Sequence, residues 1–442
     1  MNKYVVPPLT VLSENTYLSA IRAGMVSVVP LTIIGGLFLI VAYFPVSGWD
    51  AIVEPHRWLL EIPVTATFGL LAVFACFFIA YDLGKQLKQE AIVSAAMATV
   101  IFLMIQIKVD KEFVVAPESE ERVAEAIEQS QPVALTKDEM VERDEAALRM
   151  EGLGSQGLFT AVLIALVSVR VQKFFTDMNF VIRLPENVPP VVSESFLSLS
   201  PLLFLVLTFW IIRFVLGVDI DSIVQAIFTP LVFALNTLPG ILVYAFLVTM
   251  LWSIGINGDN AMDAIVAPIF LQYLAANVEA MTQGQPLPYV TAYGFFTAFV
   301  NVGGTGATIA LALILMNSKE PGFRKVSRLS LPTQIFQINE PIFFGIPIVL
   351  NPVFMVPYIL SALVLTASSY LLMDWNVIHR PFVNVPWTTP PIIGHYLVTG
   401  GDWKAAVWGA ISIVIAMLIY YPFAKVAERQ RLKAEAAGVA HE

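Results

Sequence analysis

The stretch Ile338-Asn339-Glu340-Pro341-Ile342-Phe343-Phe344-Gly345-Ile346-Pro347 decides how this chain is read. Its glutamate stands alone. The eleven residues from Leu329 to Asn339 carry no formal charge, and 33 residues follow Glu340 before Asp374. A lone carboxylate at membrane depth costs on the order of 2.5–3.5 kcal/mol even on the lenient insertion scale, so such residues face a cavity or a partner and mark substrate paths. Pro341, Gly345 and Pro347 argue against a continuous helix here, because proline removes a backbone donor and blocks the preceding turn. Irregular backbone inside a bilayer survives only where protein or a water-filled cavity satisfies it. The stretch therefore predicts a broken helix carrying an acidic group to a ligand.

The rest of the chain agrees with a membrane setting. Apolar residues make up 57% of the 442, and charged residues 13%. Soluble domains carry about 25% charged residues. Uncharged runs cover Ala23–Trp49, Ile62–Tyr81, Ala91–Ile107, Gly152–Val169, Ser195–Ile212, Ser222–Gly258, Ala280–Ser318, Pro341–Met373 and Ala405–Ala424. One membrane helix needs about 20 apolar residues. The runs of 37, 39 and 33 residues are too long for one helix each and are expected to hold second spans or re-entrant pieces. The fold class expected is an all-α integral membrane protein with about ten transmembrane helices plus re-entrant hairpins. Two regions differ in pattern. Residues 1–216 hold five spans of conventional length, and residues 217–442 hold long apolar runs broken by Gly, Pro, Asn and isolated acids. The second pattern suits discontinuous helices around a midplane site.

Net charge is −9, and the 13 acids and 6 bases of Lys108–Glu151 contribute −7 of it. There is no basic footprint for nucleic acid. The acidic segment reads as one or two short solvated helices, for example Glu118–Gln129 and Lys137–Met150. Cys76 is the single cysteine and lies in an apolar run, so no intrachain disulfide is expected. Met1–Arg22 has no apolar core, so no cleavable signal peptide is expected. The four histidines, His56, His379, His395 and His441, lack metal-ligand spacing, so no metal or cofactor is expected. Neither a Walker A lysine motif nor a nucleophile elbow is present.

Three other stretches share the character of the Glu340 segment. Trp252-Ser253-Ile254-Gly255-Ile256-Asn257-Gly258-Asp259-Asn260 ends a long apolar run, and its glycines suit a sharp re-entrant tip with unpaired backbone groups for a polar ligand. The same residues also suit an ordinary interfacial loop. Asn301-Val302-Gly303-Gly304-Thr305-Gly306-Ala307-Thr308 reads either as a small-residue packing seam or as backbone that approaches a ligand. Val385-Pro386-Trp387-Thr388-Thr389-Pro390-Pro391-Ile392-Ile393-Gly394 holds three prolines that forbid a regular helix. A Trp beside two hydroxyls suits a sugar, whose C–H face stacks on the ring. A structural loop with an interfacial Trp is the alternative.

In their order, these four segments resemble the membrane-embedded IIC component of bacterial sugar phosphotransferase systems, and its lactose/cellobiose/diacetylchitobiose branch in particular. The resemblance extends over nearly the whole chain. It includes Leu153-Gly154-Ser155-Gln156-Gly157-Leu158-Phe159-Thr160-Ala161 and Leu184-Pro185-Glu186-Asn187-Val188-Pro189-Pro190-Val191-Val192. Its most specific part is Asn339-Glu340-Pro341 followed by Gly345-Ile346-Pro347-Ile348-Val349-Leu350-Asn351-Pro352.

The resemblance implies an elevator-type permease in the bacterial cytoplasmic membrane. It implies a homodimer with an N-terminal scaffold (1–216) and a moving C-terminal substrate domain (217–442). It implies a sugar substrate, a β-linked disaccharide such as cellobiose or diacetylchitobiose. It further implies a separate cytoplasmic IIB protein, phosphorylated on cysteine, that phosphorylates the sugar 6-hydroxyl. Glu340 would contact that hydroxyl as the catalytic residue, and Trp252 and Trp387 would contact the rings. Asn257, Gly258, Gly303, Gly304, Thr305, Asn339 and Thr388 complete the expected sugar site.

One position departs from the family pattern. Gly255-Ile256-Asn257-Gly258 stands where Gly-Ile-His-Gly is usual. The amide keeps hydrogen-bonding capacity but exchanges no proton near neutral pH. Two other functions therefore stay open beside phosphotransfer. One is a transporter using Glu340 as a proton site, and the other is a sugar-binding membrane sensor. Asn257 is expected to reach Glu340 or to share a ligand with it.

Lys and Arg near the span ends set orientation. Lys3, Arg22, Lys85, Lys88, Arg170, Lys173, Arg183, the Lys319–Arg328 cluster and the Lys425–Lys433 tail all fall on one side if both termini are cytoplasmic. Lys108–Glu151 then lies outside. A membrane-impermeant thiol reagent is expected to label a cysteine placed at Ser130 in intact cells, with Cys76 replaced. Labelling only after lysis would reverse this topology.

Overall fold

The first long apolar run becomes a helix whose start is set by a side chain. Asn15 accepts from the Tyr17 and Leu18 N–H groups at 2.9 and 3.2 Å and begins α1, Thr16–Ala42. Such a cap satisfies donors that a helix start leaves orphaned. The computed structural model describes residues 15–44, 48–115, 140–148, 150–182, 185, 196–346 and 348–436. After α1 come a short helical turn at Trp49–Val53, then α2 (Arg57–Phe68), α3 (Leu71–Gln86), α4 (Ala91–Ile105) and α5 (Leu158–Asp177).

These five helices pack on one another: α1 on α2 and α3, α3 on α4 and α5, and α4 on α5. Lipid gives helices no hydrophobic reason to associate, so close approach of small residues and interhelical hydrogen bonds must do it. Both are present. A Cβ on Gly24 of α1 would lie 2.3 Å from Ile79 Cγ1 and 2.6 Å from the Ile79 nitrogen on α3. Ser94 of α4 donates to Gln172 Oε1 of α5 at 2.6 Å.

The middle of the chain is α6, Leu199–Trp210, continued by a wider turn at Ile211–Val215, and α7, Ile220–Leu235. The two are bent by 88° at the intervening break. α7 is held to α5 by the stacked rings of Phe159 and Phe228, 4.3 Å apart, and by the Thr160 hydroxyl donating to Asp221. Then follow α8 (Leu238–Ser253), α9 (Gly258–Thr282), α10 (Ile309–Leu315), α11 (Pro321–Ile335), α12 (Glu340–Gly345), α13 (Pro352–Asp374), α14 (Ile393–Val398) and α15 (Trp403–Ala436). α13 packs on α8 and α15, α10 on α11 and α15, and α9 on both α8 and α1.

Among the described residues, six helices are long and apolar enough to cross a membrane, or up to seven if the bent pair is one span. α4 and α8 are shorter apolar helices. The long uncharged runs divide as their glycines and prolines suggest. Ala280–Ser318 holds irregular chain, a wide turn at Phe295–Val300 and α10. Pro341–Met373 holds most of α12, a break and most of α13.

The acidic segment needs a correction. A helix over Lys137–Met150 was expected, but Met140–Leu148 is strand β2, paired antiparallel with β1, Ile107–Val115. The register sets Lys111 opposite Asp144 and Glu112 opposite Arg143. β-Branched and aromatic residues (Ile107, Val109, Phe113, Val114, Val115, Val141) supply the strand preference that a reading by charge alone passed over. Glu118–Gln129 and Ser130 lie outside the described residues, as does Leu184–Val192 apart from Pro185.

The Gly24 contact can be tested. Gly24→Val is expected to destabilise the protein by about 1–3 kcal/mol, because the added carbons meet backbone as well as side chain. Val26 on the same helix is 59% exposed, and Val26→Ala should cost much less. The check is the thermal midpoint of each purified variant in detergent. A Gly24→Val midpoint at or above the parent's would contradict the packing described.

Candidate functional site

The α8–α9 connection turns sharply, as its glycines suggested. Gly255 has φ +89°, a left-handed conformation that a side chain would strain. Asn257 then caps α9, accepting from the Asn260 N–H at 2.9 Å. Gly258 is buried against α8, where a Cβ would lie 2.1 Å from the Val248 carbonyl oxygen. These contacts give Asn257 and Gly258 structural duties. No hydrogen bond joins Asn257 to Glu340 among the described residues.

The carboxylate two residues after the cap draws the segments together. Asp259 Oδ2 accepts from Trp252 Nε1 at 2.8 Å and from the Thr305 hydroxyl at 2.7 Å. Its Oδ1 receives the Asn301 amide at 3.5 Å, the outer limit of a hydrogen bond. The N-terminal dipole of the 25-residue α9 also favours a negative charge at this position.

The loop after Asn301 is held from the other side. Gln337 Oε1 accepts from the Gly303 and Gly304 N–H groups at 2.6 and 3.1 Å. Asn339 Nδ2 donates to the Thr305 carbonyl at 2.9 Å. Gly304 has φ +103°, and a Cβ there would fall 2.4 Å from Asn339 Cβ, so only glycine fits. The indole of Trp252 meets Phe343 of α12 edge to face at 5.2 Å, and the Leu350 N–H returns to the Ser253 carbonyl at 2.9 Å. Three of the four expected segments thus meet: Trp252–Asp259, Gly303–Thr305 and Asn339–Glu340.

Exposure divides them. Trp252, Thr305 and Asn339 are buried, at 6%, 6% and 5% exposed. Asn257 and Asp259 are half-buried, and Glu340 is exposed. The buried groups hold one another, and no hydrogen bond to the exposed Glu340 carboxylate is present among the described residues. Behind them the Tyr358 hydroxyl is buried without a hydrogen-bond partner among the described residues. Its ring lies 5.6 Å from that of Phe343.

The fourth segment stands apart. Trp387 is 57% exposed on the irregular chain before α14, with Thr388 half-buried beside it. No hydrogen bond or ring contact joins either to the other three segments among the described residues. One link to the N-terminal helices does reach the site: Arg22 of α1 donates to the Asn260 carbonyl at 3.0 Å.

Sequence reading passed over Asp259, Asn301, Gln337 and Tyr358 as site residues. Asp259 had a visible signal, because it ends the 37-residue uncharged run. Asn301 and Gln337 are single polar side chains whose partners are 33 or more residues away, and Tyr358 lies inside a long apolar run, so no local pattern marks them.

Comparison with known proteins fits this arrangement. Residues 22–362 match the family model of the phosphotransferase system EIIC. The chain is 34% identical to the cellobiose-specific EIIC component of Geobacillus stearothermophilus, over 98% of this chain and 94% of that protein. It is 32% identical to the lichenan permease IIC component of Bacillus subtilis (strain 168), over 98% and 94% respectively. The crystal structure of the transporter ChbC, the IIC component from the N,N'-diacetylchitobiose-specific phosphotransferase system, superposes with a TM-score of 0.87 at 33% identity and covers 99% of both chains. This polytopic membrane protein belongs to the phosphotransferase-system EIIC family and is a sugar-specific IIC component.

Proposed function

We propose that the chain binds a β-linked disaccharide, with the hydroxyl to be phosphorylated at Glu340, and carries it inward to a phosphorylated IIB protein. The observation that carries this reading is the exposed Glu340 carboxylate beside buried groups that already bond one another. Relatives named for cellobiose, lichenan and diacetylchitobiose support a disaccharide or short oligosaccharide of β-linked units. Glu340 accepts the hydroxyl hydrogen bond and raises the oxygen's electron density. The phosphoryl donor residue would be on the partner protein. Trp252, Asn257, Gly258, Gly303, Gly304, Thr305, Asn339, Trp387 and Thr388 form the rest of the proposed site. Trp387 would reach a ring from the α14 side.

We further propose that residues 1–216 form the scaffold of a homodimer and residues 217–442 the moving substrate domain, with both termini cytoplasmic in a bacterial inner membrane. Mutual packing of α1 to α5 supports the first part, and that of α8, α10, α13 and α15 the second. α7 packs back on α5 and would act as the connection between them.

Calorimetry with cellobiose tests the site. Glu340→Gln and Glu340→Ala should leave a folded protein that binds about ten- to over a hundredfold more weakly, the loss of one charged hydrogen bond of about 1.5–3 kcal/mol. In vesicles supplied with phosphorylated IIB, both variants should make no phosphorylated cellobiose. Unchanged binding in both would refute the assignment. Uptake by the parent without IIB, driven by a proton gradient, would favour Glu340 as a proton site instead.

A further inference from the structure

Asp259 has contacts that the sugar site, as described so far, does not use. It sits on the first turn of α9, a helix long and apolar enough to cross a membrane, and its bonded partners are neutral donors. A carboxylate without a bonded cation is costly in this setting. The helix dipole offsets part of that cost but would do so equally for an oxygen turned to solvent. Instead both carboxylate oxygens reach across to other segments.

Oδ2 alone takes two hydrogens, one from the indole of Trp252 on α8 and one from the hydroxyl of Thr305 in the loop. Each bond fixes something local. The indole bond sets the rotation of the ring that also meets Phe343. The hydroxyl bond anchors Thr305, whose carbonyl accepts from Asn339, the residue next to Glu340. A continuous path therefore runs from Asp259 through Thr305 and Asn339 to the exposed glutamate. An amide at 259 could turn its oxygen to both of these hydrogens, but the acceptor would lose the charge that strengthens each bond, and its NH₂ would face the Asn301 amide donor in place of Oδ1.

We propose that Asp259 is a positioning residue of the sugar site, holding Trp252 and Thr305 and, through Thr305 and Asn339, setting where Glu340 meets its hydroxyl. The proposal rests on the sugar site placed above around Glu340. Asp259 does not touch the sugar. It acts through the side chains it holds, so its loss should be felt as misplacement rather than as a missing contact.

The experiment is cellobiose calorimetry on the purified full chain, with thermal midpoints, for Asp259→Asn, Trp252→Phe, the pair together, and Glu340→Gln. Trp252→Phe keeps an aromatic face and deletes only the indole N–H. Asp259→Asn alone should weaken cellobiose binding by about ten- to a hundredfold with a nearly unchanged midpoint. In the Trp252→Phe background the same change should cost clearly less, because the shared bond is already gone. If Asp259→Asn does not fold, Thr305→Val removes the other donor at constant shape and should weaken binding to a similar extent. Additive losses in the pair, or normal binding by Asp259→Asn and Thr305→Val while Glu340→Gln binds weakly, would overturn the positioning role and leave the Glu340 site standing. Normal binding by all variants, Glu340→Gln included, would overturn both.

Discussion

Backbone released from a helix inside a bilayer has no water to bond, and the second half of this chain is arranged around that constraint. The irregular stretch between α9 and α10 lies within an uncharged run of 39 residues. Amide side chains pin it at both ends. Asn277 donates to the Tyr289 and Pro381 carbonyls and accepts from the Tyr289 N–H, and Asn236 accepts from the Val290 and Thr291 N–H groups. At the other end Gln337 takes the N–H groups of Gly303 and Gly304, and Asn339 donates to Thr305. Each amide supplies what a missing helical turn would have supplied. A buried donor or acceptor left unmade costs about 1–3 kcal/mol, so these few side chains decide whether the broken segments persist.

The proposed sugar site follows from the same arrangement. Breaking helices at Gly255, at Gly303–Gly306 and ahead of Pro341 brings side chains from distant parts of the sequence to one place. Close approach of the loop to Asn339 is possible only because Gly304 lacks a Cβ. Gln337 and Asn339 satisfy the neighbouring backbone, and Glu340 stays exposed. Hydrogen bonds join α1 to the later segments, with Arg22 donating to the Asn260 carbonyl at 3.0 Å and Asn384 donating to the Thr32 hydroxyl at 2.7 Å. Any movement of the substrate segments past α1 must exchange both.

Much of this was legible in the chain because membrane depth makes individual residues informative. Uncharged runs located many of the helices, and the isolation of Glu340 drew attention to the segment that meets Trp252 and Thr305. Gly255 and Gly304 marked turns that take φ values a side chain would resist. Three features were not legible. The contacts of Asp259 were hidden, since Thr305 and Asn301 lie 46 and 42 residues away. The capping role of Asn257, whose oxygen accepts from the Asn260 N–H, went unread because the segment reads as a turn rather than a helix start. The hairpin of β1 and β2 was hidden by its charges, which suggested solvated helix, although its apolar residues are largely strand formers.

The most direct measurement is a structure of the protein with cellobiose bound. The predicted result places a primary hydroxyl of the sugar within hydrogen-bond distance of the Glu340 carboxylate, with the Trp252–Asp259–Thr305 bonds intact behind it. A sugar bound elsewhere, with Glu340 facing only lipid or solvent, would contradict the convergence of these segments on one substrate site.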